Sequence, residues 1–239
     1  MNDDPYQENL DNPNLPFATR WSLINEINTT NQRFGIYKKY IKEWDRWAID
    51  QLDQQNNFSV LEVGSGSGGL SLEIKKWAAG RNLEAEINLY DAQEDVLNES
   101  LKKFDHTKPK IHVATKDHLK IYPDKSFDFV ISLHVIHHIQ PFSAAVSAIE
   151  EMLRISRKGI FIVDLENKFL AIPFAKFWNR ISGVTPELSE DGIKSLKRSY
   201  SPIELKDALI DSLPKNSYHL SIKRMLFVPY WKISSSRIL

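Results

Sequence analysis

Four glycines occur close together in one short stretch, VGSGSGGL, which follows an apolar segment and precedes an amphipathic one. Gly64, Gly66 and Gly69 fit the spacing G-x-G-x-x-G, whereas Gly64, Gly66 and Gly68 fit G-x-G-x-G. In either spacing the backbone, including Ser65, can approach a ligand closely, and the N-terminus of the following helix lies beside it. The stretch therefore predicts a site for a nucleotide-like cofactor, and the glycines alone do not decide which cofactor.

A single acidic residue, Glu62, helps to separate the two cofactor classes. It lies two residues before the first glycine, near the end of a predicted strand that should be buried on both faces, and a buried carboxylate needs a polar or charged partner. Its charge is unfavourable beside the pyrophosphate of a dinucleotide and favourable beside the ammonium group of S-adenosylmethionine. Glu62 therefore favours S-adenosylmethionine, while a structural role, in which it pairs with a backbone amide or a lysine, stays open.

The elements that must position these residues alternate along the chain. Five strands are predicted, with helices between them, at FSVLEV, AEINLY, KIHVA, FDFVISL and KGIFIVDL. This alternation predicts βαβ units and a parallel sheet with right-handed crossovers. SYHLSIKRM and LFVPYWKIS add an antiparallel C-terminal hairpin. The expected fold is α/β, a Rossmann-like doubly wound sheet of seven strands that is mostly parallel, with an antiparallel C-terminal strand.

Further regions frame this sheet. Residues 1–17 read as an irregular arm and residues 18 to about 54 as amphipathic helix, so residues 1–55 are predicted to form an N-terminal arm and helical cap. Residues 56–239 are the predicted cofactor-binding domain. Within it, residues 166–199 are rich in aromatic residues and interrupted by Pro173 and Pro186. We predict that this segment forms a lid of short helices over the sheet.

Several runs resemble a known family. EVGSGSG, YPDKSFDFVISLHVIHHI and MLRISRKGIFIVDL resemble motifs of the class I S-adenosylmethionine-dependent methyltransferases, in the small-molecule, methyltransferase type 11-like group. The resemblance extends from about Phe58 to the C-terminus. It implies S-adenosyl-L-methionine as the cofactor. The residues that it implies for cofactor binding are Glu62, Gly64, Ser65, Gly66, Gly68, Asp91, Ala92, Asp117 and Leu133.

Two of these positions carry specific roles in the resembling family. An acidic residue at the end of the second strand accepts both ribose hydroxyls, and Asp91 stands there, although a dinucleotide fold would also want an acid at this point. A second acidic or polar residue lies near the adenine amino group. Lys116 occupies its usual position, so Asp117 needs a shift of one residue to serve.

His134, His137 and His138 raise the question of a metal site. Helical geometry would place His134 and His138 on one face, but no nearby carboxylate pattern completes a site, and the resembling family carries a similar His-His pair without a metal. We therefore predict no metal. One of the histidines can be a packed, hydrogen-bonded residue. Because an imidazole with a pKa near 6.5 suits proton removal from an acceptor, His138 and then His134 are the candidates for a general base.

Composition excludes several classes of protein. The chain has no cysteine, which excludes disulfides, thiolate metal sites and thiol nucleophiles. Its 31 basic and 31 acidic residues balance, which argues against a nucleic-acid partner. No apolar run approaches the roughly 20 residues of a membrane span, and the N-terminus lacks the pattern of a signal peptide. We expect a cytoplasmic protein without stable membrane insertion.

The predicted function is methyl transfer from S-adenosylmethionine to a small-molecule acceptor. DGIKSLKRSYSPIEL and INTTNQRFGIY are similar to a bacterial subgroup associated with polyketide-like or quinone-like molecules, so a phenol-, quinone- or polyketide-like O- or C-acceptor is expected. Two alternatives stay open. One is a nicotinamide-dependent oxidoreductase, which would use the G-x-G-x-x-G spacing; the other is a catalytically silent cofactor-binding partner protein, for which the departure at Lys116 leaves room.

Overall fold

The apolar runs of the sequence fold into one sheet. The structure, a computed structural model, describes residues 6–12, 14–52, 56–105, 107–115, 118–166, 172–173, 183–214, 217–224 and 230–237. Its strands are β1 (Asn57–Val63), β2 (Glu84–Asp91), β3 (Lys110–Val113), β4 (Phe127–Leu133), β5 (Ser156–Leu165), β6 (Tyr218–Arg224) and β7 (Tyr230–Arg237). All of them fall where strands were predicted, because each is a short apolar or alternating run between turn residues.

The order of the strands gives the sheet its topology. It is β3-β2-β1-β4-β5-β7-β6. Strands β1 to β5 run parallel, and β7 runs antiparallel to both of its neighbours, β5 and β6. The predicted α/β fold, with a mostly parallel seven-stranded sheet and a reversed C-terminal strand, is confirmed.

Helices cover both faces of this sheet. They are α1 (Phe17–Arg33), α2 (Ile36–Ala48), α3 (Gly69–Ala79), α4 (Glu94–Ser100), α5 (Phe142–Ile155), α6 (Pro186–Arg198) and α7 (Pro202–Ser212). The predicted helical region at residues 18–54 is broken at Gly35, which has a φ of 66° and so ends α1 with a left-handed residue. No helix in the described ranges is long and apolar enough to cross a membrane.

Helix α6 makes up most of the described part of the predicted lid. Pro186, which the sequence suggested as an interruption, is the first residue of this helix, where its missing N–H costs no hydrogen bond. The Thr185 hydroxyl oxygen caps the helix by accepting a hydrogen bond from the Leu188 N–H at 3.3 Å. Residues 167–171 and 174–182 lie outside the described residues.

Aromatic side chains dominate the core between the sheet and α2. Trp44 is fully buried, and its ring meets those of Trp77, Phe129 and Phe161 edge-on at 5.7, 5.1 and 5.9 Å between centroids. The Tyr40 hydroxyl donates to the Phe161 carbonyl oxygen at 2.7 Å. Burial of aromatic rings of this size dominates core energetics, so α2 is firmly fixed on this face. The opposite face packs on α5 and α7.

Candidate cofactor-binding site

The glycine turn lies at the carboxyl end of β1. Gly64, Gly66 and Gly68 have φ values of 69°, 48° and 72°, in the left-handed region that favours glycine. A Cβ on Gly64 would lie 2.4 Å from Cγ2 of Val135, whereas a Cβ on Gly66 would meet only Cγ2 of Ile24, at 3.6 Å. Gly64 is therefore required by the packing of the protein itself, and Gly66 leaves open space above the turn.

Hydrogen bonds tie this turn to the end of β2. The N–H groups of Gly64 and Ser65 both donate to the Tyr90 carbonyl oxygen, at 2.8 and 3.1 Å. The Gly66 N–H donates to Oδ2 of Asp91 at 2.9 Å. The structure thus brings together the glycines and Asp91, which lie 25 residues apart in the sequence.

Asp91 is placed as the sequence predicted, at the last position of β2. Its second oxygen, Oδ1, accepts a hydrogen bond from the Gln93 N–H at 3.1 Å. Burial raises the pKa of the Asp91 carboxyl, and the backbone N–H groups of Gly66, Gln93 and Ala92 oppose that rise. A carboxylate offers about four lone-pair sites, so Asp91 can still accept a hydrogen bond from a ligand.

The turn also lies where the strand order reverses. Strand β1 has β2 on one side and β4 on the other. The strands that follow β1 in the sequence are therefore added first on one side of it and then on the other. In open α/β sheets ligands bind in the crevice outside the carboxyl ends of the strands at such a switch point. The position of the turn therefore agrees with the cofactor site that its sequence predicted.

Glu62 points into the first turn of α3. It is 4% exposed, and its Oε2 accepts a hydrogen bond from the Ser71 N–H at 3.1 Å and another from the Ser71 hydroxyl. Burial raises the pKa of the Glu62 carboxyl to about 8. The structural role that stayed open in the sequence is thus present, and Oε1 accepts no hydrogen bond within the described part of the chain.

Polar atoms around the turn are left without partners. The hydroxyl oxygens of Ser65 and Tyr90 and Oε1 of Gln93 are buried and make no hydrogen bond to any described residue. Buried polar atoms in native proteins are normally paired. The three residues lie at or just after the ends of β1 and β2, where a ligand that carries hydroxyl and amino groups could pair with such atoms.

A cleft of about 770 Å³ opens beside Ala92 and Gln93, the two residues that follow Asp91; Asp91 and the glycine turn are not among its lining residues. A volume of this size suits a nucleoside-sized ligand. A second cleft lies at the opposite, amino-terminal edge of the sheet, next to the start of β1 and β2, and is remote from the glycine turn. The cleft beside Ala92 is lined by Leu10, Asp11, Asn12, Arg20, Ala92, Gln93, Glu94, Asp95 and Asn98.

The remaining predicted cofactor residues differ in how they are placed. Ala92 is exposed and lines this cleft. Leu133 is half-buried at the last position of β4. Lys116 and Asp117 lie outside the described residues.

Helix α1 covers the turn from above. A Cβ on Gly69 would lie 2.0 Å from Oδ1 of Asn28 and 2.5 Å from the Tyr37 hydroxyl oxygen, so the cap approaches the start of α3 closely. The guanidinium of Arg20 forms an ion pair with Asp95 at 3.1 Å, with only 10% of the Arg20 side chain exposed. Residues of α1 therefore lie over the glycine turn, and Arg20 joins α1 to α4 by a charged contact.

The three histidines do not share a helix. His134 has a φ of 58°, and only Ile136–His138 form a short 3₁₀ turn. The prediction that His134 and His138 share one helical face is therefore wrong. The His134 ring lies 4.8 Å from that of Tyr230, and burial lowers its pKa to about 4. At neutral pH His134 is therefore an uncharged and weak base.

His137 and His138 are held by carboxylates. His137 is 2% exposed, and its Nδ1 lies 2.6 Å from Oδ1 of Asp164. His138 is partly exposed, with Nδ1 3.0 Å from Oδ1 of Asp11. His137 is the packed, hydrogen-bonded histidine that the sequence analysis allowed for, and His138 faces the N-terminal arm.

The N-terminal arm supplies site residues that the sequence analysis missed. Oε1 of Glu8 accepts a hydrogen bond from the Ser195 hydroxyl at 2.8 Å, and Asp11 forms an ion pair with Arg198. Both partners belong to α6, 187 residues away in the sequence. No local pattern in residues 1–17 could have shown that this arm docks between α6 and the histidines.

Part of the chain matches a known protein family and several characterised proteins. A family model described as "Methyltransferase domain" matches residues 60–159. The ubiquinone/menaquinone biosynthesis C-methyltransferases UbiE of Rickettsia bellii and Rickettsia akari are 26% and 27% identical over 165 residues, which cover 66% of this chain. The chain matches 58% of the length of those curated relatives.

Solved structures share the fold. A SAM-dependent methyltransferase from Aquifex aeolicus has a TM-score of 0.59 at 16% identity, covering 91% of this chain and 98% of its own. The magnesium protoporphyrin IX methyltransferase of Synechocystis PCC 6803, solved with bound SAH, has a TM-score of 0.57 at 17% identity, with 86% and 85% covered. At this level of identity the likeness concerns the fold.

Proposed function

Because the chain contains a methyltransferase domain of the class I, S-adenosylmethionine-dependent type, we propose that it transfers the methyl group of S-adenosylmethionine to a small organic acceptor. One observation carries the proposal. The open space above Gly66 lies directly beside the Asp91 carboxylate, to which the Gly66 N–H is bonded at 2.9 Å. This combination suits a ligand that carries both a ribose and an amino acid moiety.

The cofactor of this domain type is S-adenosylmethionine, and we propose which residues of the chain bind each of its parts. Asp91 would accept hydrogen bonds from the ribose hydroxyls, and Ala92 would lie beside them in the cleft. The turn from Gly64 to Gly68 would lie against the amino acid portion, and Leu133 would close the pocket from β4. The unpartnered hydroxyl of Ser65 would gain a partner there.

The role of Glu62 depends on its second oxygen. Oε2 is engaged by Ser71, and we propose that Oε1 faces the ammonium group of the cofactor, directly or through a water molecule. A positive charge beside a buried carboxyl stabilises the ionised form. The same residue would then both fix the start of α3 and attract the cofactor.

When bound, S-adenosylmethionine supplies a methyl group on a positively charged sulfur, which needs little further activation. The protein's share is to hold the acceptor in line and to exclude water. Helix α1 lies over the turn, and residues of the arm line the cleft. We propose that residues 1–55 and the lid together enclose the acceptor.

The acceptor class rests on the relatives and on short likenesses in the sequence. The relatives of Rickettsia are named as C-methyltransferases of ubiquinone and menaquinone biosynthesis. We propose a phenol-, quinone- or polyketide-like acceptor, methylated at oxygen or carbon. The prediction that His138, or else His134, removes a proton stays a prediction, because His134 is a weak base and the contacts of His138 favour another use.

The first experiment is calorimetric titration of the full chain with S-adenosylhomocysteine, NAD and NADP. Saturable one-site binding of S-adenosylhomocysteine alone is expected; binding of NAD or NADP instead would support the oxidoreductase alternative and overturn the proposal. A methyl-transfer assay with phenols and quinone precursors then tests turnover. Binding without turnover across that set would support a silent cofactor-binding protein.

A matched pair of variants tests the site itself. Asp91→Asn should weaken S-adenosylhomocysteine binding by about 10- to 100-fold, because hydrogen bonds to a charged acceptor contribute about 1.5–3 kcal/mol. Asp128→Asn is the control: that carboxylate also accepts from a backbone N–H, that of Ser59 at 2.8 Å, but at the opposite edge of the sheet. Equal affinities of the two variants would remove Asp91 from the site.

A further inference from the structure

Three side chains capable of binding a metal converge beside the cofactor cleft. Glu8 comes from the N-terminal arm, and His137 and His138 come from the 3₁₀ turn after β4. One potential ligand atom of each lies within 4.8 Å of those of the other two. We propose that Glu8, His137 and His138 bind one divalent first-row transition metal ion.

Both imidazoles are oriented as metal ligands usually are. Nδ1 of His137 lies 2.6 Å from Asp164 and Nδ1 of His138 lies 3.0 Å from Asp11. A carboxylate that accepts the Nδ1–H fixes the tautomer and leaves a lone pair on Nε2. In the tautomer that carries its proton on Nδ1, each histidine presents Nε2 as an accepting nitrogen.

These accepting nitrogens face a third acceptor. Nε2 of His137 lies 3.7 Å from Oε1 of Glu8, and Nε2 of His138 lies 3.8 Å from Oε2 of the same carboxyl. Nε2 of His137 is buried and has no hydrogen-bond partner among the described residues. Three lone-pair donors that face one point need a cation between them.

A metal ion at that point requires the ligand atoms to move closer together. Ligand atoms at about 2.0–2.2 Å from an ion lie roughly 3.0–3.4 Å from one another. The observed separations of 3.7 and 3.8 Å between each Nε2 and the Glu8 carboxyl exceed this spacing by less than about 1 Å. The Ser195 hydroxyl already bonds to Oε1 of Glu8 at 2.8 Å and holds this side chain in place.

The charged groups around the two rings also favour a cation. The carboxylates of Glu8, Asp11 and Asp164 and the guanidinium of Arg198 surround them. Acidic groups therefore outnumber basic ones among these neighbours, and opposite charges attract.

The ligand set selects the kind of ion. Imidazole nitrogens suit zinc, iron, cobalt and nickel, whereas magnesium and calcium prefer sites made of oxygen atoms. Two histidines and one carboxylate leave coordination positions open. Asp11 both contacts His138 and lines the cleft next to Ala92, so the metal would lie close to that cleft.

The test uses the full chain, with any purification tag removed and metals stripped by a chelator. Calorimetric titration with Zn²⁺ should show one saturable site, and Co²⁺ should give visible absorption bands and raise the melting temperature. Glu8→Gln and His138→Gln should each lower the Zn²⁺ affinity by at least about 10-fold, since even second-shell changes typically cost this much. His219→Gln, which removes an exposed histidine from β6, should not.

Several results test the proposed metal site independently of methyl transfer. Absence of saturable Zn²⁺ and Co²⁺ binding, or equal Zn²⁺ affinity in His138→Gln and His219→Gln, would overturn the site. Circular dichroism checks that each variant is folded, and His138→Gln carries the test if Glu8→Gln does not fold. S-adenosylhomocysteine binding, measured on the same stripped protein, reports on the proposed function independently.

Discussion

The protonation of Glu62 offers a quantitative test of the cofactor region. In the folded chain its carboxyl has a pKa of about 8, against an ordinary value of 4.5. Between these two pH values the unfolded chain has lost the proton and the folded chain keeps it. A raised carboxyl pKa therefore costs nothing below pH 4.5 and destabilises the folded state progressively up to about pH 8.

The size of the effect follows from linkage. Each pH unit in this interval costs about 1.4 kcal/mol, so the whole interval costs roughly 5 kcal/mol. Glu62→Gln removes the titration while Oε1 of the new amide can still accept from Ser71. From pH 5.5 to pH 7.5 the stability of the variant should rise relative to the native chain by about 2.7 kcal/mol.

Urea denaturation followed by circular dichroism at several pH values measures this difference. Glu84→Gln, which removes an exposed carboxyl from the start of β2, is the matched control and should run parallel to the native chain. If Glu62→Gln also runs parallel, the carboxyl is ionised in the folded state and the reasoning from burial is refuted.

The same proton links stability to the proposed ammonium contact. A cation that binds beside Glu62 would lower its pKa and release a proton at pH 7. Calorimetry of S-adenosylhomocysteine binding in buffers with different ionisation enthalpies counts that proton. Release in the native chain and its loss in Glu62→Gln would favour the ammonium contact; equal proton counts would leave Glu62 with its structural role alone.

Other substitutions probe the turn and the cap. Gly64→Ala should destabilise the chain more than Gly66→Ala. Both substitutions place alanine in the left-handed region, which costs about 1–2 kcal/mol, but only the first clashes with Val135. Urea denaturation measures both losses of stability, and Val135→Ala should partly restore the stability of Gly64→Ala. Gly66→Ala should instead reduce S-adenosylhomocysteine affinity by more than about 10-fold, and unchanged calorimetric affinity would contradict a close approach of the ligand. Tyr40→Phe should cost about 1–2 kcal/mol, because the Phe161 carbonyl oxygen loses its buried donor; a smaller loss in denaturation would show that water replaces the hydroxyl.

The parts of the fold that the sequence predicted are those set by local patterns. Strands β1 and β4 carry apolar runs, and the glycines between β1 and α3 need left-handed backbone that few other residues adopt. Asp91 was placed correctly because it ends a strand that neighbours β1. In each of these cases the information lies within a few residues of the element.

The parts that escaped prediction depend on distant contacts. His134 leaves the expected helical spacing because its N–H donates to the Val163 carbonyl oxygen at 2.9 Å on the neighbouring strand β5. The docking of Glu8 and Asp11 joins the arm to α6 across 187 residues. A single sequence holds no local signal for such pairs, so the carboxylate of Glu8 beside the histidines could not be predicted.

The aromatic contacts of α2 affect the order in which the chain can fold during its synthesis. Tyr40 precedes its hydrogen-bond acceptor Phe161 by 121 residues, and Trp44 packs on Phe129 and Phe161. Since a nascent chain emerges from its N-terminus at about 5–20 residues per second, α2 must wait several seconds before β5 leaves the ribosome. During that time its apolar face lacks the strand against which it packs in the folded chain. Helix α2 is therefore synthesised well before the strand that fixes it to the sheet.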